Sequence, residues 1–181
     1  MYKQAVLNLI GNTPLIQLNF DTSAKIFAKL EYFNPGGSIK DRAALFMIEH
    51  AEEHGLLRPG GTIIEASSGN QGIAAAMIGA VKGYTVIITV SEKNSKEKKQ
   101  ALRAYGAKVI ECPATNSLID PEGYHSVALR IHKSIPNSFM LNQYFNEVNA
   151  QSHYAMLGPE VWRQTEGKIT HFCAAMGSGG T

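Results

Sequence analysis

Cysteine is scarce, no long apolar run occurs and neither sign of charge dominates, and each shortage removes a class of protein. The two cysteines among 181 residues, Cys112 and Cys173, stand far apart in apolar, strand-like runs. They have neither metal-ligand spacing nor the pattern of a disulfide framework, and they suit a reducing compartment. A net charge of +2 and a pI near 8.5 leave no strongly basic face, so bulk charge points to no nucleic-acid partner. The one charge run, Lys93 to Lys99, is broken by Asn94, Ser95 and Glu97 and reads as a solvated helix face. Met1 to Ile10 mixes Lys, Gln and Asn with short apolar stretches, unlike a signal peptide or a membrane span. A cytoplasmic protein with no membrane partner is expected. What is present is a 44% hydrophobic composition, enough for one sizeable core or two small lobes.

From about residue 60 onward, β-rich runs alternate with helical patterns. Residues 62–66, 84–90, 108–112, 138–141 and 169–175 read as strands, and residues 71–82, 95–105, 124–133 and 151–165 as helices. Such alternation predicts an α/β fold with a parallel sheet covered by helices, whose ligands bind beyond the carboxyl ends of the strands. Every loop after a strand is therefore a candidate site.

Ahead of these elements stands Asn34-Pro35-Gly36-Gly37-Ser38-Ile39-Lys40-Asp41-Arg42. The turn Asn-Pro-Gly-Gly ends on Ser38 as the expected N-cap of a helix over 39–51. At about 100° per residue, Ile39, Ala43, Ala44, Met47, Ile48 and Ala51 form an apolar arc. Asp41, Arg42, Glu49, Glu52 and Glu53 form the polar one. Lys40 falls near the middle of the apolar arc. A lysine in a first turn ordinarily snorkels to solvent. One desolvated at the positive end of a helix has its amine pKa pushed below the free value of about 10.4, as a Schiff-base lysine requires.

Two strand-end loops have the character of anion sites. Ser67-Ser68-Gly69-Asn70-Gln71-Gly72 joins the 62–66 run to an Ala-rich helix, offering N–H groups, hydroxyls and amides. Gly177-Ser178-Gly179-Gly180-Thr181 follows the 169–175 run with the same chemistry. Either loop alone is as readily a plain turn.

With these residues in view the chain resembles the fold type II, or β-family, pyridoxal 5′-phosphate enzymes, the group of cysteine synthase and cystathionine β-synthase. Four ordered motifs carry the likeness: Leu9 to Leu15 (the family's opening signature), Asn34 to Arg42 (its lysine motif), Ala66 to Gly72 (its asparagine loop) and Gly177 to Thr181 (its phosphate cup). The resemblance implies that Lys40 holds pyridoxal 5′-phosphate as a Schiff base and later moves the substrate Cα proton. It implies further that Asn70 bonds the cofactor's phenolic oxygen and that Gly177, Ser178, Gly179, Gly180 and Thr181 hold the phosphate. Ser67, Ser68, Gln71 and Gln143 would bind the substrate α-carboxylate. The reaction implied is β-replacement on serine or an activated serine by a thiol.

Pro113 to Asn116, Asp120 to Glu122, Ile135 to Ser138 and His153-Tyr154 lean toward the cystathionine β-synthases. So does Tyr144, where the cysteine synthases are expected to have Phe and where a phenol could meet a longer nucleophile. Serine plus homocysteine is therefore the first expectation, and O-acetylserine plus sulfide the second. The asparagine loop reads Ala-Ser-Ser-Gly-Asn-Gln-Gly where the family usually has Pro-Thr-Ser-Gly-Asn-Thr-Gly, which keeps the polarity but makes Gln71 bulkier, and Ser178 is a mild change from the usual Thr.

The resemblance also implies three-layer lobes: a larger cofactor-binding lobe from 1–37 and 142–181, and a smaller, mobile, carboxylate-binding lobe from 38–141. Family members run to roughly 300 residues or more. The chain is thus expected to be part of a longer enzyme, a homodimer, and by itself to bind cofactor weakly without turnover. Two rivals remain: a non-catalytic truncated paralogue, and a zinc peptidase based on His50-Ala51-Glu52-Glu53-His54, which fits H-x-x-E-H without a third ligand.

Overall fold

Branched residues at consecutive positions build the centre of the molecule. In the computed structural model, which describes residues 3–67, 69–115, 117 and 119–181, the first elements are a 3-10 helix at Lys3–Leu9 and strands β1 (Leu15–Leu18) and β2 (Ile26–Lys29). Helix α1 is Lys40–Glu53, followed by β3 (Thr62–Ala66), α2 (Asn70–Lys82), β4 (Thr85–Ser91), α3 (Lys96–Ala104) and β5 (Lys108–Cys112). Helix α4 is Tyr124–Ser134 and β6 is Ser138–Met140; α5 (Val148–Ser152), a π-helical turn (His153–Leu157) and α6 (Gly158–Gln164) follow.

Strands β3 to β6 form one parallel sheet in the order β5-β4-β3-β6. Side chains alternate across it, as the period of two requires. Ile63, Val86, Ile88 and Val90 join Ala43, Met47 and Ile78 in the core beneath α1 and α2. Ile64, Ala66, Ile87 and Met140 join Ala128 in a second core beneath α4. Every residue of β3 is buried, because helices cover both faces of a parallel sheet. The parallel arrangement puts all four carboxyl ends on one edge, where the 67–72 and 142–145 segments begin.

The structure departs from the sequence expectations in several places. β1 and β2, not anticipated, pair antiparallel in a sheet of their own, Leu15 opposite Lys29 and Leu18 opposite Ile26. The expected strand 169–175 has no regular secondary structure, since a strand exists only where a neighbour takes up its backbone hydrogen bonds.

The helix expected over 151–165 is interrupted by the π-turn, in which Gly158 N–H reaches back five residues to the His153 carbonyl. Pro159 has no N–H to return to Ala155, so the turn before it widens. Finally, Asp41 and Arg42, expected on a solvated arc, are fully buried. Asp41 accepts from Gly36 N–H at 2.5 Å, and Arg42 is taken up by two carboxylates described below.

Candidate active site

β3 ends under the asparagine loop, and its penultimate residue, Glu65, is buried at 1% exposure. One carboxyl oxygen accepts from the Asn142 N–H at 2.7 Å, tying the end of β3 to the segment after β6. The other oxygen has no partner among the described residues. Burial pushes the Glu65 carboxyl up to about 8, against the opposing effect of the Asn142 and Gln143 N–H groups.

Two residues on, the Ser67 hydroxyl oxygen accepts from Gly69 N–H at 3.3 Å and Gly72 N–H at 3.2 Å, so it closes the start of α2 and keeps its own proton to donate. Asn70 is the exposed first residue of α2. Gln71 is 2% exposed, and both polar ends of its amide lack partners among the described residues. Ser68 lies outside the described residues, as does Asn116 of the 113–116 stretch. A buried amide with neither end satisfied is uncommon in a folded protein and marks a place where a polar ligand is accommodated.

Lys40 opens α1. Ser38 supports the helix start from one residue farther out than expected: Ile39 is already helical at φ −57°, and the Ser38 Oγ accepts from Lys40 N–H at 3.1 Å. The Lys40 amine is half-buried and desolvation lowers its pKa. Among the described residues it pairs with no carboxylate. Instead Nζ donates to the Ser178 Oγ at 3.3 Å, joining positions 138 residues apart.

Ser178 Oγ also accepts from Asn149 Nδ2 at 3.0 Å, and the same nitrogen donates to the Gln143 carbonyl at 2.9 Å. Gln143, Tyr144, Ser178, Gly179 and Gly180 border one cavity of about 190 Å³. Gly180 and Thr181 border a second, of about 380 Å³, together with His153 and Trp162. Lys40, Gln143, Tyr144, Ser178, Gly179 and Gly180 are thus brought together. Ser67, Asn70 and Gln71 lie on the loop that follows β3, whose Glu65 bonds the Asn142 N–H next to Gln143, and Gly177 and Thr181 are exposed.

A buried ion network braces this arrangement, and the sequence reading missed it. Arg42, with a side chain 1% exposed, donates to Glu31 at 2.8 Å and to Glu160 at 2.6 Å. Lys29 pairs with Glu160 as well. The Asn12 N–H donates to Glu160 at 2.8 Å, and the Thr13 hydroxyl to Glu31 at 2.6 Å. Burial works against ionisation of Glu160, but the bonds from Arg42 and Lys29 outweigh it and hold the carboxyl at about 2.

The opening Gly-Asn-Thr signature, the 3-10 turn Glu31–Phe33 after β2, α1 and α6 therefore meet at one guanidinium two residues from Lys40. Asn149 and Glu65 were also missed. The signals available were a lone Arg in a lysine motif and a Glu in an otherwise apolar strand.

His50 and His54 stack at 3.9 Å between ring centroids. Among the described residues no three His, Cys, Asp or Glu side chains gather to hold a metal ion.

The residues present fit pyridoxal 5′-phosphate. An uncompensated, desolvated amine can meet its aldehyde. Beside that amine lies a turn whose Gly177 and Gly179 have open space where a Cβ would stand, with a serine hydroxyl for an anionic group.

Comparison with known proteins agrees. Residues 6–181 match the family model described as pyridoxal-phosphate dependent enzyme. The chain is 50% identical to cystathionine beta-synthase of Apis mellifera, over 97% of this chain and 36% of that protein. It is 46% identical to cysteine synthase B of Salmonella typhimurium, over 95% of this chain and 56% of that one. The crystal structure of a hydrogen sulfide-producing enzyme from Fusobacterium nucleatum superposes with a TM-score of 0.82 at 39% identity, covering 91% of this chain and 53% of its own. The chain therefore spans about a third to a little over half the length of the relatives it matches.

Proposed function

Since this chain belongs to the pyridoxal-phosphate dependent enzymes, we propose that it represents the part of a β-replacement enzyme that carries the lysine and binds the amino-acid substrate. The donor is serine or an activated serine. The observation that carries this reading is the Lys40 amine, half-buried, without a carboxylate partner among the described residues, and bonded to Ser178 of the glycine turn. Lys40, Asn70 and Gly177 to Thr181 would hold the cofactor, which when bound supplies an electron sink for charge developing at Cα.

Desolvation raises the neutral fraction of Lys40, and a neutral amine can take the Cα proton. The free Ser67 hydroxyl proton and the amides of Gln71 and Gln143 would orient the α-carboxylate, with Ser68 as a further donor. The Cβ substituent departs with its bonding electron pair, the thiol sulfur bonds to Cβ in its place as the thiol proton goes to the departed group, and Lys40 returns its proton to Cα. In this reading residues 38–141 form the smaller lobe, moving against 1–37 and 142–181 to exclude water, and the enzyme works as a homodimer in the cytoplasm.

For the nucleophile, homocysteine with serine is the first choice, cystathionine β-synthase chemistry. It is supported by Tyr144 at the cavity beside Ser178 and by the 50% identity to the Apis mellifera protein. Sulfide with O-acetylserine, cysteine synthase chemistry, is the second, supported by the 46% identity to the Salmonella typhimurium protein.

The test is visible absorbance of the protein given pyridoxal 5′-phosphate, followed by borohydride reduction and peptide mapping. A pyridoxyl group on Lys40, absent from Lys40→Ala, is expected. A protein that stays colourless, or labelling spread over surface lysines, would sink the proposal. Products formed by the whole enzyme that carries this part, from serine with homocysteine and from O-acetylserine with sulfide, decide between the two nucleophiles.

A further inference from the structure

Asn149 joins the two sides of the site through a single side chain. It is 2% exposed. Both protons of its amide nitrogen are used, one on the Gln143 carbonyl at 2.9 Å and one on the Ser178 Oγ at 3.0 Å. Its amide oxygen is buried without a partner among the described residues. Gly180 lies so close that a Cβ there would stand 2.6 Å from the Asn149 Cγ and 2.7 Å from its Nδ2.

Ser178 Oγ accepts from Asn149 and, at 3.3 Å, from Lys40. When Lys40 turns to the cofactor its contact with Ser178 is given up, and the bond from Asn149 remains to orient the hydroxyl with its own proton free to donate outward. We propose that Asn149 is a positioning residue. It fixes Ser178 as a donor to the cofactor's phosphate and keeps Gln143, on the carboxylate side, in register with that contact. This rests on the cofactor reading above.

Affinity for pyridoxal 5′-phosphate and for pyridoxal, which lacks the phosphate, distinguishes such a role from general support. Titration by absorbance should show the wild-type chain preferring the phosphorylated form. Asn149→Ala should cut that preference about tenfold, the scale of about 1.4 kcal/mol expected of one hydrogen bond at a buried site, while leaving pyridoxal affinity unchanged.

Gly180→Ala approaches the same amide from the cup side. Gly180 is not among the positive-φ glycines, so its backbone tolerates alanine, and the three atoms nearest the added Cβ all belong to Asn149. The same loss of preference is expected, but Gly180 also belongs to the phosphate turn, so this variant is read only through the double variant; Asn149→Asp, which keeps the shape without the two donated protons, takes the place of Asn149→Ala if that does not fold. In the double variant the truncated side chain leaves room for the new methyl, so its loss should not exceed that of either single variant.

Equal weakening of both ligands, or additive losses in the double variant, would overturn the role of Asn149 while leaving the cofactor reading standing. A wild-type chain that does not distinguish the two ligands would overturn both, and that result is visible before any variant is made.

Discussion

Burial acts in opposite directions on Lys40 and Glu65, and both directions favour the neutral form. The Lys40 amine is lowered by desolvation and so becomes more available as a base. The Glu65 carboxyl rises from 4.5 to about 8, so near neutral pH the fold holds a proton that the unfolded chain would release. A raised carboxyl contributes stability below its unfolded value and loses it as pH rises toward the folded value, by at most about 1.4 kcal/mol per pH unit.

His153 runs the other way. Desolvation, then the charges of Lys40 and Arg42, lower it from 6.5 to about 4, so its contribution is lost as pH falls through that interval. Asp41, raised from 3.8 to about 6, is ionised in both states above that range. Between about pH 6.5 and 8, Glu65 is left as the shifted group among these three. Glu65→Gln keeps an acceptor for the Asn142 N–H and has nothing to ionise. Denaturant melts across that window should show wild-type stability falling with pH and the variant nearly flat. Parallel slopes would mean that Glu65 is ionised in the fold.

The packing of α2 on β4 reverses an ordinary propensity. An interior helical Gly→Ala change is usually stabilising by about 1 kcal/mol. At Gly79 the added Cβ would overlap Val86 Cγ2, on a stiff β-branched side chain in the facing strand. Gly79→Ala should therefore lower stability, by roughly 1–3 kcal/mol for an overpacked core. Val86→Ala in the same chain should restore part of the loss, read from melting of the single and double variants. Independent losses from the two changes would argue that α2 shifts to accept the methyl.

The elements themselves were largely legible. β3 and β5 match their expected bounds, and β4, β6, α2, α3 and α4 differ by a residue or so at their ends, because apolar periodicity is a local property. β1 and β2 were not, being four residues each and lacking the long alternation that announces a strand.

At the scale of the whole molecule, residues 169–175 mark the contrast between a β-rich run and a strand. Phe172 is 55% exposed and Met176 92%, whereas β3 is buried throughout. Protection of backbone amides follows hydrogen bonding and local contact density. Hydrogen exchange on the intact chain should find amides 169–175 exchanging early and those of β3 and β4 protected until global unfolding. Comparable protection in both would show that the 169–175 run is paired in solution.

What residue order alone determined is the alternation of strands and helices, the Lys40 arc and the two glycine-punctuated loops, each encoded within a window of a dozen residues. The tertiary structure decided the rest. Arg42 became a buried hub because Glu160, 118 positions away, is folded against it. Asn149 acquired its place because Gln143 and Ser178 converge on one amide. The run at 169–175 stayed irregular among the described residues because strand formation depends on a neighbour. Periodicity fixes which side of an element is apolar, whereas the partner of a buried charge or an unpaired backbone is set only when distant segments are packed together.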